Sequence, residues 1–218
     1  MCIICVKKSG VCVPSWDAID AMVWYNQDGN GYAYLSDGQV HIRKGLMSLQ
    51  AYKNSLQHTY KMLGDKLTDT PFLYHSRITT HGGTSKGLTH PFMLSDNHKK
   101  LKAVKSVCTA AIVHNGILDI DCDNGLSDTA SFVKNELYPL VRLYGHGIYH
   151  QHSMQEILAY RIFDSKLAII DGQGIVTIGQ FLTDKKTGLL YSNSSYQLSD
   201  IDRWFYSLSD YDDDMFRG

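Results

Sequence analysis

The chain has 218 residues, 44% of them hydrophobic, and its 21 basic and 22 acidic residues leave a formal net charge of −1. A charge this close to zero gives no overall field that would attract nucleic acid or a membrane surface, so neither is expected as a partner. No apolar run is long enough to cross a bilayer. The first residues, MCIICV, are too few for a secretory signal and follow no basic segment, so we expect a cytoplasmic protein.

Cysteine, proline and glycine usage predicts one compact domain without disulfides. The five cysteines are an odd number, and without an export signal a disulfide framework is not expected. The chain has four prolines and no linker rich in serine and glycine. We therefore expect one domain over residues 1–200 and a short acidic C-terminal tail over residues 201–218. That tail either docks a partner or packs against its own domain.

The first predicted elements alternate between short strands and a helix. Residues 3–6 (IICV) read as a buried strand, and a second short strand is expected around residues 11–13. Ser15 is a suitable N-cap for the helix WDAIDAMVWY, whose apolar residues recur at helical spacing. The turn-forming residues 26–31 (NQDGNG) end that helix, and residues 31–45 predict a β-hairpin.

The next segments predict a helix, a strand and an irregular stretch. An amphipathic helix is expected from Met47 to Leu63, where Gly64 ends it. Residues 72–80 (FLYHSRITT) are rich in β-forming side chains. Residues 84–106 are polar and show no regular period, so they are expected to be irregular.

The second half predicts helices followed by a late group of strands. Residues 106–116 (SVCTAAIVHNG) read as a strand that runs into a turn, Ser127 caps the helix DTASFVKNEL, and a further helix starts after His152. The segments KLAIIDGQGIVTIGQF and GLLYSN predict strands. Strands at both ends with helices between them differ from the alternation of a parallel sheet. The expected class is α+β, with mainly antiparallel sheets covered by helices.

Two stretches in the first half carry reactive or charged side chains. If Met1 is removed, Cys2 carries both a thiol and a free α-amine, which is a nucleophile with a built-in base. On the strand predicted within HSRITTHGG, His75 and Arg77 point to the same face. An arginine at a strand end suits bidentate capture of a carboxylate, although it can equally be an ordinary surface residue.

Two stretches in the second half offer polar groups. An apolar strand delivers Asn115 and Gly116 to its end, where the Asn amide and the Gly N–H are suitable donors for an oxyanion. An Asn-Gly pair is also a common turn. Asp128 lies in the first turn of a predicted helix, where the helix dipole favours an acid whatever its function, and it can also bind an ammonium group.

Taken together and in this order, these motifs resemble the class II glutamine amidotransferase domain, a member of the N-terminal nucleophile (Ntn) hydrolase superfamily. The motifs are Cys2, HSRITTHG, HNG and SDT, and the resemblance covers roughly residues 2–195. DGNGYAY is similar to the early glycine-rich segment of the family, THPF to its His-Pro, and GLLYSNSS to its late strand. The resemblance implies a four-layer αββα sandwich, the Ntn hydrolase fold.

The resemblance also implies the groups that carry out the reaction. Cys2 is the nucleophile, and its own α-amine, whose ordinary pKa is about 8, is the general base. Asn115 and Gly116 form the oxyanion hole, and His114 supports the turn at Asn115. No metal and no organic cofactor are implied.

The same resemblance implies a set of substrate-binding residues. Arg77 binds the α-carboxylate of glutamine, Asp128 binds its α-ammonium group, and Thr80 and His81 line the glutamine pocket. The implied product is ammonia, released with glutamate after a thioester on Cys2 is hydrolysed. Because this chain ends soon after the glutaminase-like domain, the ammonia either goes to a separate synthase or synthetase partner, or the domain hydrolyses glutamine by itself.

Several alternatives stay open at this point. The sequence has Ile3 where the family usually has glycine, and Ile78 where it often has tryptophan. The chain can instead be an Ntn amidohydrolase that acts on a γ-glutamyl compound or another amide, such as the cysteine hydrolases of the bile-salt and penicillin acylase type. It can also be an inactive amidotransferase-like binding module. Metal binding by the Cys2-x-x-Cys5 pair is less favoured, because no second pair completes a four-ligand site.

Overall fold

The computed structural model of the protein describes residues 2–79 and 84–206. These residues form eleven β-strands and six α-helices, and a further helical segment covers residues 200–206. The strands are β1 (Ile3–Lys7), β2 (Asn30–Ser36), β3 (Gln39–Leu46), β4 (Phe72–Ser76), β5 (Phe92–Met93), β6 (Lys105–Cys108), β7 (Ala110–Asn115), β8 (Lys166–Asp171), β9 (Gly174–Ile178), β10 (Leu182–Thr183) and β11 (Leu190–Tyr191). The helices are α1 (Trp16–Tyr25), α2 (Leu49–Leu63), α3 (His98–Leu101), α4 (Asp128–Phe132), α5 (Tyr138–Tyr144) and α6 (His152–Ile162).

The strands form two antiparallel sheets. The larger sheet has seven strands in the order β10-β11-β1-β4-β2-β3-β6, and the smaller has four in the order β5-β7-β8-β9. Every neighbouring pair in both sheets is antiparallel. This confirms the α+β class and the mainly antiparallel sheets that were expected from the sequence.

The two sheets pack face to face through a layer of aliphatic side chains. Ile4, Ala33 and Leu73 from the larger sheet belong to the same buried cluster as Ala111 and Ala168 from the smaller one. Alanine on both sides lets the two backbones approach closely, and burial of the branched side chains around it stabilises the contact. The central strands β1, β4, β7 and β8 are therefore buried on both faces, which explains why they read as nearly continuous apolar runs.

Helices cover the outer faces of both sheets. On the larger sheet, a buried cluster joins Ile19 and Met22 of α1 and Leu56 of α2 to Tyr32 and Tyr74 of the strands. On the smaller sheet, a second cluster joins α4, α5 and α6 to β7, β8 and β9, with Phe132 and Leu158 among its buried residues. The packing order is therefore helices, sheet, sheet, helices.

Local capping signals predicted the helix boundaries well. Ser15 caps α1 by accepting a hydrogen bond from the backbone N–H of Ala18, and Ser127 caps α4 in the same way through Ala130. Gly64 ends α2 with φ +53°, as expected from its sequence position. The predicted helix DTASFVKNEL is observed as α4 followed by a wider π-helical turn, Val133–Leu137, and helical structure continues beyond its predicted end into α5.

Three predictions about strands and loops were wrong. Residues 11–13 form no strand. Residues 84–106 are not simply irregular, since they contain β5, α3 and the start of β6. Residues 106–116 do not form one strand, because the chain crosses at Thr109 from β6 in the larger sheet to β7 in the smaller one.

A buried lysine fixes the stretch after residue 84 against the larger sheet. Lys44 of β3 is 4% exposed, and its Nζ donates to the carbonyl oxygens of Gly87 at 3.0 Å and Leu101 at 2.7 Å. The same Nζ lies 4.0 Å from the centre of the Phe92 ring. Burial lowers the pKa of Lys44 well below its ordinary value. These contacts hold the segment that forms one wall of the cavity described below.

The last described residues pack against α1. The carboxylate of Asp202 accepts a hydrogen bond from the Tyr25 hydroxyl at 2.5 Å, and the rings of Trp24 and Tyr206 meet edge to face at 5.6 Å. Most of the tail expected at residues 201–218 lies outside the described residues.

Candidate active site

Three strand ends meet at one edge of the two sheets. Ile3 at the start of β1 pairs with Ser76 at the end of β4, and Asn115 ends β7 in the other sheet. The hydroxyl of Ser192 accepts hydrogen bonds from the Ile4 backbone N–H and from the Asn115 side-chain amide, both at 2.8 Å. This serine therefore joins the two sheets where the sequence motifs converge.

A cavity of about 440 Å³ opens at this edge and collects most of the predicted site residues. Its polar lining consists of Cys2, Arg77, His90, His114, Gly116, Cys122, Ser127, Asp128 and Thr129. Its aliphatic lining consists of Ile78, Leu88, Ile117, Leu118 and Leu126. The volume lies within the range of roughly 300–1,000 Å³ that is typical of small-molecule sites.

The Cys2 thiol lies half-buried in the wall of this cavity. Its Sγ donates to the carbonyl oxygen of Ile78 at 3.4 Å, and the Asn193 amide donates to the Cys2 carbonyl oxygen at 2.8 Å. Burial raises the pKa of the Cys2 thiol, while the positive charge of Arg77 acts in the opposite direction. The thiol is therefore protonated near neutral pH and needs a base in order to act as a nucleophile.

Arg77 contributes a buried cation to the cavity. It lies one residue beyond β4, so its predicted place on the strand was wrong, and its backbone is instead held by Gly29 and Asp28. Its N–H donates to the Gly29 carbonyl at 2.9 Å, and its carbonyl accepts from the Asp28 N–H at 2.8 Å. The residue is 6% exposed, and Nη1 has no hydrogen-bond partner among the residues described. Arg77 also lines the cavity, and a buried guanidinium nitrogen without a partner favours an anionic ligand.

Asn115 and Gly116 end β7 beside the thiol. Asn115 lines a neighbouring cavity of about 250 Å³ that also includes Cys2, and Gly116 lines both cavities. One Nδ2 hydrogen of Asn115 is used by Ser192, which leaves the other available, since the amide carries two donors. Gly116 has φ +146°, and a Cβ there would collide with the Ser165 hydroxyl oxygen. Glycine is therefore required at this position.

Asp128 contributes a carboxylate to the lining of the same cavity. It is the first residue of α4, and its two oxygens accept backbone N–H groups from Leu118 at 3.1 Å and Thr129 at 2.7 Å. These bonds fix the orientation of the carboxylate. The cavity is thus bounded by a thiol, a cation and an anion.

Three buried histidines surround the polar part of the site. His75 and His90 stack with ring centres 4.1 Å apart, and His75 Nε2 lies 3.0 Å from the His114 carbonyl oxygen. His114 Nδ1 lies 3.0 Å from the Thr129 hydroxyl. Burial lowers the pKa of His75 to about 3, that of His114 to about 4 and that of His90 well below its ordinary value. All three rings are therefore neutral at physiological pH.

The structure brings together Cys2, Arg77, His114, Gly116 and Asp128 in one cavity, with Asn115 beside it. Thr80 and His81, also predicted as site residues, lie outside the described residues. Sequence reasoning did not assign a role to His75 or His90. Their sequence signals were the HSR and THPF motifs, which say nothing about the stacking of the two rings.

Two further properties bear on the kind of site. Within residues 2–79 and 84–206, no group of three or more histidine, cysteine, aspartate or glutamate side chains is arranged to hold a metal ion. None of the helices in that part of the chain has the length and apolar character needed to span a membrane.

Comparison with known proteins leaves the family unassigned. The chain matches none of the protein-family models against which it was compared. No curated protein is significantly similar to it. Conclusions about function therefore depend on the geometry of the cavity and on the motifs that line it.

Replacement of Gly116 tests how closely the chain approaches Ser165. Gly116→Ala should lower the free energy of unfolding for two reasons. Alanine is strained at a positive φ, and its Cβ would collide with Ser165, which adds a cost of about 1–3 kcal/mol for overpacking. Gly10→Ala is the matched control, since Gly10 also has a positive φ but its Cβ would meet no atom within 4 Å. Urea unfolding should show a larger loss of stability for Gly116→Ala than for Gly10→Ala. Equal losses would contradict the contact.

The buried histidines predict a loss of stability in acid. Their pKa values are lowered in the folded state, so between about pH 6.5 and pH 4 the unfolded chain binds protons that the folded chain does not. Stability should therefore fall as the pH falls through this window, by up to about 1.4 kcal/mol per pH unit for each histidine. His114→Gln should make the slope shallower in urea unfolding at several pH values. His58→Gln, on an exposed face, is the control and should leave the slope unchanged.

Proposed function

We propose that this protein is a cysteine amidohydrolase of the class II glutamine amidotransferase type, which hydrolyses the side-chain amide of glutamine to glutamate and ammonia. The observation that carries the proposal is that one cavity is lined by a thiol, a fixed carboxylate and an arginine whose buried Nη1 has no partner among the described residues. The proposed fold is the four-layer αββα sandwich of the Ntn hydrolases, and the packing order of helices and sheets supports it.

In this proposal, the charges of the cavity recognise the amino-acid end of glutamine. Arg77 binds the α-carboxylate, which supplies the anion that its buried guanidinium group lacks. Asp128 binds the α-ammonium group with a carboxylate that is already oriented by two backbone N–H groups. The motif that contains Arg77 also assigns Thr80 and His81 to the glutamine pocket. The two charged contacts leave the side-chain amide of the substrate directed at Cys2.

The proposed nucleophile is the Cys2 thiol, activated by its own α-amine once Met1 has been removed. Since burial raises the pKa of the thiol, a base is needed to take its proton as it attacks. The ordinary pKa of an α-amine is about 8, which is close enough to cellular pH for the group to accept and return a proton.

Developing negative charge on the amide oxygen is stabilised by the Gly116 N–H and by the free Nδ2 hydrogen of Asn115. The link from Asn115 to Ser192 and the bond from His75 to the His114 carbonyl fix the backbone that presents both donors. Preorganised donors of this kind are typically worth about 3–4 kcal/mol each to the transition state. His114 supports the same turn through Thr129.

The proposed reaction proceeds in two balanced steps. The Cys2 sulfur forms a bond to the γ-carbonyl carbon, the C–N bond breaks, and the nitrogen leaves as ammonia with the proton that the α-amine took from the thiol. Water then adds to the thioester, glutamate leaves, and the thiol regains a proton. The ammonia passes to a separate acceptor, which we propose is a synthase or synthetase partner. The reaction as proposed uses no cofactor.

Covalent labelling tests the nucleophile and the pocket together. Incubation with the glutamine analogue 6-diazo-5-oxo-L-norleucine should add one equivalent to a protein that has lost Met1, and peptide mapping should place the adduct on Cys2. Intact mass spectrometry measures both changes. Cys2→Ala should take up no label and hydrolyse no glutamine, while Cys12→Ala, which changes an exposed cysteine, should behave as the parent. Glutamine turnover by a folded Cys2→Ala variant would refute the assignment.

Replacement of Arg77 tests carboxylate capture. Arg77→Gln should raise KM for glutamine at least tenfold, because the charge that binds the α-carboxylate is lost, and kcat should change less. Arg43→Gln, on β3 and outside the cavity lining, is the control for loss of an arginine. Steady-state glutaminase kinetics provide the measurement. An unchanged KM in a folded Arg77→Gln variant would remove Arg77 from the substrate pocket.

A further inference from the structure

The second cavity, of about 250 Å³, adjoins the first and shares Cys2 with it. Both cavities are lined by Cys2, Ile78, Gly116 and Ile117. A substrate whose scissile amide lies at the thiol therefore has space on two sides. If Arg77 and Asp128 hold its acyl half in the first cavity, its leaving group extends toward the second.

The second cavity is apolar and larger than ammonia requires. Its side-chain lining includes Ile78, Ile117, Ile162 and Phe163. Among the described residues that line it, Asp164 carries the one formal charge, and no lysine or arginine is present. A leaving group that fits this lining is apolar and carries no carboxylate, since a carboxylate would approach Asp164 without a lysine or arginine side chain to pair with.

The end of α6 shows a local strain that the fold does not explain. Phe163 follows α6 with φ +51° and ψ −123°, and Gly64 follows α2 with nearly the same angles, φ +53° and ψ −126°. Glycine adopts this conformation freely, whereas a residue with a side chain is strained in it. The Phe163 ring is 83% exposed, so internal packing does not offset the strain.

A ligand in the second cavity would account for a phenylalanine at this position. Phe163 is one of the residues that line the cavity, together with Ile162 and Ile117, and a bound apolar group would cover part of its exposed side chain. Strained residues are found preferentially where they serve binding or catalysis. The strained backbone of Phe163 and the apolar lining are separate observations, and both concern the cavity that Cys2 lines.

We propose that the second cavity is a leaving-group subsite, and that the enzyme hydrolyses γ-glutamyl amides of apolar amines that lack a carboxylate. This inference rests on the proposed function and extends its substrate class beyond glutamine. The chemistry is unchanged: the Cys2 sulfur bonds to the γ-carbonyl carbon, the C–N bond breaks, and the amine leaves with the proton taken from the thiol. Water then releases glutamate from the thioester.

Three substrates with the same acyl half test the subsite. Glutamine has no N-substituent, γ-glutamyl-phenethylamide has an apolar one, and γ-glutamyl-phenylalanine adds a carboxylate to it. We expect kcat/KM for the phenethylamide to exceed that for glutamine and for γ-glutamyl-phenylalanine by roughly tenfold or more, as gains from filling an apolar pocket commonly reach. Glutamate release measures all three reactions on the full chain.

A variant at Phe163 separates binding from folding. Phe163→Gly should raise the melting temperature, because it relieves the positive φ, and should lower the ratio of kcat/KM for the phenethylamide to that for glutamine about tenfold. If Phe163 had only a structural role, its replacement would not change this ratio. Tyr160→Ala is the matched control, since Tyr160 is also aromatic, is 92% exposed on α6 and does not line the cavity. It should leave the ratio unchanged.

The outcomes distinguish this inference from the proposed function. Hydrolysis of glutamine without hydrolysis of the phenethylamide overturns the subsite and leaves the glutaminase proposal intact. An unchanged substrate ratio in Phe163→Gly also overturns it, and would assign the exposed ring to a different role, such as contact with a protein partner. If no substrate is hydrolysed and Cys2 takes up no glutamine analogue, the proposed function fails and the subsite fails with it.

Discussion

One buried hydroxyl group holds the two sheets in register at the edge where the cavities lie. Ser192 is 2% exposed and follows β11, and its backbone N–H donates to the Ile4 carbonyl at 3.0 Å. Its Oγ accepts from Ile4 and from Asn115, which belong to different sheets. Because Cys2 lies two residues before Ile4 and Gly116 follows Asn115, this serine sets the distance between the thiol and the backbone that faces it. The geometry of the site thus depends on a contact between sheets, which neither sheet provides alone.

The electrostatics of the site follow from burial. Burial disfavours the charged form of the three histidines and lowers their pKa values, so the rings stay neutral. The positive charge of Arg77 lowers the pKa of His75 and His90 further. The guanidinium group of Arg77 keeps its positive charge, as arginine does in proteins. The neutral histidine rings therefore cannot balance the positive charge that Arg77 brings to the cavity. A ligand carboxylate would do so, and the neutral histidines would not compete for it.

Local signals in the sequence predicted most of the fold, and long-range contacts account for the errors. Ser15, Ser127 and Gly64 act within one turn of their own helices, so their effects can be read from the sequence. The crossing of the chain between the sheets at Thr109 cannot be read from the sequence. Both flanking segments favour strands, and only packing decides which sheet each one joins. The segment after residue 84 is polar, and its order depends on donors supplied by Lys44, which is 43 residues distant from Gly87 in sequence.

The motifs selected residues that lie together in the structure, although they are distant in sequence. Cys2, Arg77, Gly116 and Asp128 line one cavity, and their roles in a reaction stay a prediction. The lining that Ile117, Ile162 and Phe163 give to the second cavity was not predictable, because no motif includes these residues. Phe163 shows this most clearly, because it occupies a helix end where glycine would be favourable. Buried polar atoms without partners at His90, His114 and Arg77, and the strained backbone at Phe163, all adjoin the cavities that share Cys2. Buried polar atoms without partners and a strained backbone beside one thiol are features that a bound ligand could satisfy or use.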